Sequence, residues 1–493
     1  MTGKNNQQGS RLIDQAKKVN AKKLTLFNLI AIAVGLVLSQ GVMVIILQGF
    51  GLSGISFFIP LIIGFFLALS YATSFAELAL LIPKSGSISD YSLVATGHLP
   101  AMLSVFCGYI LVAMFAVSAE LILIDDVIKK IFKLDVPYFG IGFLILFISV
   151  GLNLLKIDIF SKVQNTVAFV MVVLLLLLGI FAISGWVYPH TQVVDYTITF
   201  DTNTVALVAL AFWGFVGVEF VVPMIEESKN PSKNIPRSMY IGLTTIFITI
   251  SLYGVGALYF LPQEHLVNSL TPHIEYATAV FGPTGLLFIA IGALFATLST
   301  LNATLAALPR MLQGMASNKQ VLSIFARVNQ KNNVPWVGVV FVAVIIMIPM
   351  LFSQNETEVI KVLLTAACIS WLIAYVIAHI NVIVLRKRYP QMARPYKAPF
   401  YPFLQIIGII GMVLTIFYAV PTPDLRVKIF TWVGIVIGFT TIISILWIKL
   451  VMKRQLFQPE SIESLTKKKQ NFNKELSYEA VINNRNYRSL EKR

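Results

Sequence analysis

Long apolar runs recur along this 493-residue chain, each separated from the next by a short polar stretch. Polarity does not alternate within the runs, so they lack the period of a barrel strand and predict helices. Many exceed the roughly 20 residues that a helix needs to cross a hydrocarbon core of about 30 Å. The pattern predicts twelve helical spans, at 24–48, 54–82, 101–124, 137–155, 159–186, 203–225, 238–262, 282–312, 335–353, 357–385, 403–420 and 429–451. The expected class is an all-α membrane protein.

Charge orients these spans. With a cytoplasmic N-terminus, the even-numbered loops carry Lys84, Lys156 and Lys162, then Lys229, Lys233 and Arg237, then Arg310, Lys319, Arg327 and Lys331, then Arg386 to Arg388, Arg394 and Lys397. The odd-numbered loops 187–202 and 263–281 contain no Lys or Arg. This asymmetry is the positive-inside pattern, and it places both termini on the cytoplasmic side of a cell membrane. Composition agrees, with 57% hydrophobic residues, 12% charged residues and a mean hydropathy of +0.79. The net charge of +15 comes mostly from the tails, since residues 1–23 and 452–493 supply +5 each. Lys467, Lys468 and Lys469 read as a solvated face near anionic lipid headgroups, so membrane lipid is an expected partner and nucleic acid is not. The C-terminal tail is expected to be flexible. The N-terminus lacks the apolar core of a signal peptide, and nothing there looks cleaved. Cys107 and Cys368 sit inside apolar runs and read as packing residues.

Two spans are interrupted. The sixth contains AFWGFVGVEF, with Gly214, Gly217 and the acid Glu219, and the first contains AVGLVLSQGVMV, with Gly35, Ser39, Gln40 and Gly41. In hydrocarbon a helix break strands backbone N–H and C=O groups, so breaks survive only against protein or a water-filled cavity. Glycines three apart would suit close helix packing. Beside an intramembrane carboxylate they point instead to a functional cavity. Five is an odd number, so two consecutive five-span units lie inverted to each other, and paired interruptions at matching places indicate a transporter with a site near the midplane. Half-helix N-termini there offer N–H groups to an anion, and unwound carbonyls take a cation. Such a site suits a zwitterion.

Five stretches carry a family resemblance. They are FAELALLIPKSGSISDY after the second span, LNLLKIDIFSKVQN entering the fifth, EESKNPSKNIPRSM after the sixth, ALFATLSTLNATLAALPRMLQGMASN in the eighth and LRKRYPQMARPYKAPFYP after the tenth. In this order they resemble the amino acid-polyamine-organocation (APC) superfamily of permeases, through nearly the whole chain to about residue 405. The resemblance implies a LeuT-like fold: a 5+5 inverted repeat over 24–186 and 203–385, broken helices 1 and 6, two appended helices over 403–451, and tails 1–23 and 452–493. It implies transport of an amino acid, or of its decarboxylated amine, by alternating access. The family's carboxylate-binding turn falls on Ser39, Gln40 and Gly41, and its amine-binding carbonyls fall near Trp213 and Val216, with Gly217 beside them. Trp213 and Glu219 match the spacing of the gating Trp and coupling Glu of the family's arginine/agmatine antiporter. Three positions depart from the family pattern: Ser-Gln-Gly replaces Gly-x-Gly in the first span, Gly86-Ser87 replaces Gly-Gly, and Met171 stands where some proton-coupled members carry a lysine.

A membrane enzyme would need converging acid, base or metal-ligand groups. The histidines at 98, 190, 265, 273 and 379 are scattered, and neither an HExxH motif nor a phosphate loop is present. No repeated filter segment of channel type appears. No cofactor or metal is expected. The expected partner is a small-molecule amino acid or amine, carried by a monomer or homodimer. With Met171 at the lysine position and Glu219 in place, exchange is favoured over proton-coupled uptake of an amino acid, polyamine or amine. Glu77 reads as a structural acid at the cytoplasmic end of the second span, and Glu120 carries no assignment.

Overall fold

Thr25 opens the first helix, α1 (Leu26–Val37), with a capping box: its hydroxyl accepts from the Asn28 amide, and the Asn28 side chain accepts from the Thr25 amide. The chain leaves the helix at Leu38 and Ser39 and restarts as α2 (Gln40–Ser53), where the Ser39 hydroxyl caps the Val42 amide. The computed structural model describes residues 23–137, 139–155, 157–200, 207–269, 271–329, 332–352, 357–419 and 423–465. Nearly all of the expected tails, including the lysines at 467–469, lie outside the described residues, as do Lys156 and the start of the second repeat at 203–206.

Next come α3 (Phe58–Leu81), the short α4 (Ile88–Ala95) and α5 (His98–Val105). Two π-helical turns, Phe106–Ile110 and Ala113–Val117, carry α5 into α6 (Ser118–Phe132). Then follow α7 (Gly140–Asn153) and α8 (Ile157–Ser184). The sixth apolar run splits: α9 (Val208–Trp213) ends after six residues, Gly214 to Gly217 turn, and a 3₁₀ helix runs over Val218–Glu227. Beyond it lie α10 (Pro231–Leu258), α11 (Gln263–Asn268), α12 (Pro272–Phe281), α13 (Thr284–Ser317), α14 (Trp336–Phe352), α15 (Thr357–Arg388), α16 (Phe403–Tyr418) and α17 (Pro423–Leu446).

The stretch 263–281, expected to be a loop, is instead the pair α11 and α12. Pro272 at the start of α12 suits a first helical turn, and Leu266, Tyr276, Ala277 and Val280 give the pair a buried stripe against α2 and α13.

Among the described residues, eight helical segments are long and apolar enough to cross a membrane, and four shorter apolar helices, α1, α7, α14 and α16, accompany them. The apolar windows of His98–Lys129 and Val208–Glu227 are 94% buried, whereas that of Arg426–Met452 is 11% buried. The broken sixth run is therefore central and the last helix peripheral. Exposed Ile410, Phe417, Trp432, Ile435 and Phe439 on α16 and α17 make an outer surface that suits lipid, not water.

Buried polar groups tie the inner helices together. Gln164 on α8 donates to the Ala31 carbonyl at 3.1 Å and to the Ser299 hydroxyl at 2.9 Å, and its carbonyl accepts from Asn302 at 3.0 Å. Glu77 at the end of α3 accepts from Arg386 at 2.9 Å, from Arg394 at 3.1 Å and from the Ala398 amide at 2.7 Å. With the carboxylate 2% exposed, this multiply satisfied cluster is a structural clasp joining α3 to the end of α15 and the segment after it. Ser87 takes a positive φ of 53°, so the serine that replaces a glycine there carries backbone strain.

Candidate functional site

The break between α1 and α2 frees backbone groups at both of its ends. On the α1 side, the Thr300 hydroxyl from α13 donates to the Leu36 carbonyl at 3.2 Å. On the α2 side, the amides of Gln40 and Gly41 point at one carboxylate: Glu120 on α6 accepts from Gln40 through Oε2 at 2.9 Å and from Gly41 through Oε1 at 2.7 Å. One oxygen meets each amide at the positive end of a helix, which is favourable geometry for an anion. A Cβ on Gly41 would lie 2.8 Å from Glu120 Oε1, so the missing side chain is what lets the carboxylate in.

The second break is built differently. Gly217 adopts φ +121°, a conformation that L side chains rarely take, and a Cβ there would lie 2.7 Å from Leu36 Cδ2 and 3.2 Å from Trp371 Cη2. Glycine is required both by dihedral and by space. The Tyr71 hydroxyl donates to the freed Phe215 carbonyl at 2.6 Å, and the Gly217 amide donates to the Tyr375 hydroxyl at 3.0 Å. Two residues on, Glu219 is fully buried. Its Oε1 accepts from the Trp371 indole at 2.9 Å and the Tyr109 hydroxyl at 3.3 Å, and its Oε2 accepts from the Tyr375 hydroxyl at 2.8 Å. Neutral side-chain donors satisfy this carboxylate on both oxygens.

The two breaks face one cavity. Ser39, Trp213 and Val216 line it together with Glu120, Thr300 and Trp371, and its volume of about 30 Å³ leaves room for about two water molecules. Trp213 meets Trp371 edge-on at 6.2 Å, and its indole N–H has no partner among the described residues. Gln40 contributes its amide at the site, but its side chain turns away to His273 on α12, at 3.3 Å. Gly35 lies inside α1, and a Cβ there would collide with the Ser299 and Gln164 side chains, so it permits close helix approach beside the break. Gly214 ends α9 against Ile46 and Ile250. Glu219 stands one residue before the lining Phe220, behind the cavity wall, and Met171 is buried outside the lining. The histidines stay apart: His98 meets Glu460, His190 stacks on Tyr259, His265 meets Glu275, and His379 meets Ser74.

Sequence reasoning gave no role to Glu120, Thr300, Trp371 or Tyr375. Glu120 was visible as an acid in the apolar run AVSAELILI, and Trp371 and Tyr375 stand one helical turn apart in α15. Their target was not visible, because it lies on other helices.

A family model described as "Amino acid permease" matches residues 24–444 of this chain. The chain is 25% identical over 444 residues to a branched-chain amino acid permease of Bacillus subtilis (strain 168), covering 85% of this chain and 92% of the relative. It is 24% identical over 445 residues to the human cystine/glutamate transporter, covering 86% and 85%, and 26% identical over 442 residues to a methylthioribose transporter of Bacillus subtilis (strain 168), covering 85% and 91%. Among solved structures it is similar to a mutant form of a manganese transporter of Eremococcus coleocola, with a TM-score of 0.57, 13% identity, and coverage of 86% of this chain and 94% of that one. That likeness shows a shared fold.

Proposed function

This chain belongs to the amino acid permease family, a family of transporters and not enzymes, and from that premise we propose that it carries amino acids, or exchanges an amino acid for a related amine, by alternating access. It is a multi-pass membrane protein. The proposed topology has twelve spans, with inverted repeats over 24–186 and 203–385, appended helices over 403–451, and both termini on the cytoplasmic side of the cell membrane. The observation that carries the reading is the meeting of two independent helix interruptions, at Leu38–Ser39 and at Gly214–Gly217, on one buried cavity. The proposed division of labour is that α2 offers amides at its N-terminus to an anion and the unwound turn after α9 offers carbonyls near Trp213 and Val216 to a cation. The proposed substrate site is therefore Ser39, Gln40, Gly41, Trp213, Val216 and Gly217, with Trp213 as the gate and Glu219 as the coupling acid.

Exchange is favoured over proton-coupled uptake, because the buried position at 171 in α8 is a methionine with no charge to change. The test is uptake of a panel of radiolabelled amino acids and their decarboxylated amines into proteoliposomes, with and without the same compound inside. Uptake that requires internal compound establishes exchange. Equal uptake into empty vesicles under an inward proton gradient establishes symport instead. No uptake of any panel member above protein-free vesicles overturns the transport reading.

A further inference from the structure

The amides of Gln40 and Gly41 are the two N–H groups that the proposed site would offer to a substrate carboxylate, and both are already taken. The occupant comes from 79 and 80 residues away in sequence, lies on a different helix, and is 2% exposed. Its two oxygens sit at 2.9 and 2.7 Å, one per amide, which is how a bound α-carboxylate would sit. Glu120 also lines the cavity, so one side chain fills the anion position and borders the space left for the remainder of a substrate.

We infer that Glu120 is the specificity-determining residue of this site, setting amines that lack an α-carboxylate against amino acids. An amine enters with Glu120 seated, and its ammonium finds a counter-charge at the edge of the cavity. An amino acid enters only by evicting Glu120 from the Gln40 and Gly41 amides. Two carboxylates cannot share two N–H groups, and like charges this close repel. Eviction also carries a cost. Among the described residues lining the cavity there is no lysine or arginine; the other donors along it are the hydroxyls of Ser39, Thr300 and Thr304 and the indole N–H of Trp213. A carboxylate moved from the helix N-terminus to such neutral single donors gives up the paired amides and the favourable end of the helix, unless the ammonium of the incoming amino acid meets it. The penalty falls on the carboxylate-bearing substrate alone, which is what makes the residue a discriminator.

The inference rests on the proposed location of the substrate site, and the experiment separates the two. Wild type, Glu120→Ala and Glu120→Gln are purified, checked for monodispersity and melting temperature, and titrated by thermal shift with matched pairs: L-leucine and 3-methylbutylamine, L-serine and ethanolamine, L-arginine and agmatine. Glu120→Ala frees both amides and removes the counter-charge. It is expected to strengthen the amino acid of the responding pair by about tenfold and weaken the amine by about tenfold, the worth of charge-assisted hydrogen bonds. Glu120→Gln keeps the shape but loses the charge, and is expected to weaken the amine without comparable gain for the amino acid. A helix cap with no part in selection would leave the ratio between amino acid and amine where it is in wild type. An unchanged ratio in both folded variants therefore overturns the inference while leaving the transport reading intact. Failure of both variants to fold likewise makes Glu120 a structural cap and overturns it. No response from wild type or either variant to any compound overturns the site assignment itself.

Discussion

The two helix breaks use the same materials to opposite ends. Each combines an interruption, a glycine at a close approach, and a buried carboxylate nearby. At the first break the carboxylate is Glu120, brought from α6, facing backbone N–H groups at the edge of the cavity. At the second it is Glu219, local in sequence, facing the side chains of Tyr109, Trp371 and Tyr375 behind the cavity wall. An acid that holds backbone amides occupies a position that a ligand can claim. An acid held by aromatic donors braces the helices that carry those donors, and it can register whether they have moved. Under the proposed site, competition with substrate belongs to the first break and conformational coupling to the second.

The sharpest way to break the comparison is at the glycines. Gly217→Val is expected to have the largest effect, because the backbone is at φ +121° and the added Cβ would be 2.7 Å from Leu36. Dihedral strain and overpacking together should cost about 3 kcal/mol or more, seen as a large fall in melting temperature and complete loss of transport. Gly41→Val should differ in kind. Gly41 lies in regular helix, and the added Cβ meets the movable end of Glu120 at 2.8 Å, so the fold should survive with a stability cost of about 1 to 2 kcal/mol. Binding of amino acids and amines alike should be lost in thermal-shift titration, since the side chain blocks the amides and displaces the acid. If Gly41→Val binds substrate with wild-type affinity, the α2 amides are not part of the site.

What was legible in the sequence was the one-dimensional part of this arrangement. A glycine or a polar residue inside an apolar run is visible without knowing the fold, and both interruptions were read in this way. Register and partner were not. Gly41 and Gln40 lie 79 and 80 residues from the acid that occupies their amides, and Glu219 meets donors from two other helical segments, one around Tyr109 and one at Trp371 and Tyr375. Such pairings depend on how helices cross, which hydrophobic pattern does not encode. Gln40 illustrates the limit: the sequence puts it in the turn but does not say where its side chain goes, and the structure turns its amide to Glu120 and its side chain to His273. The helices α11 and α12 were missed because a polar stretch with a single apolar stripe resembles a loop when span length is the signal.

Trp213→Ala should have the next largest effect, and it tests which break closes the cavity. Trp213 is 7% exposed, lines the cavity, and contacts Trp371, the residue that also donates to Glu219. Removing the indole opens space without removing any hydrogen bond that holds the second break, so affinity should change by no more than about threefold. Turnover should fall by about tenfold or more, because the lid over the ligand is gone. Initial rates of exchange at saturating and limiting substrate separate the two quantities. Equal loss of both would make Trp213 a binding surface and leave the gate elsewhere.

Glu219→Gln should have the smallest effect on rate and is the most informative about coupling. A carboxylate accepts at both oxygens, and here Trp371 and Tyr109 serve one while Tyr375 serves the other. Glutamine has one accepting and one donating end. Its carbonyl can take the place of Oε1, because an indole N–H can only donate. Its NH₂ then faces Tyr375, whose hydroxyl oxygen accepts from the Gly217 amide and keeps a second lone pair for another donor. The Tyr375 hydroxyl hydrogen loses the oxygen it donated to, so the variant should still fold but with about 1 to 2 kcal/mol lost. What the amide cannot do is take up or release a proton. If proton exchange at Glu219 biases which way the cavity opens, substrate exchange measured across roughly pH 5 to 8 should lose its slope while the rate at the optimum stays within about threefold of wild type. A variant that keeps the wild-type pH profile would make Glu219 a brace between the second break and α15, and would remove the difference in role between the two acids that the two breaks otherwise imply.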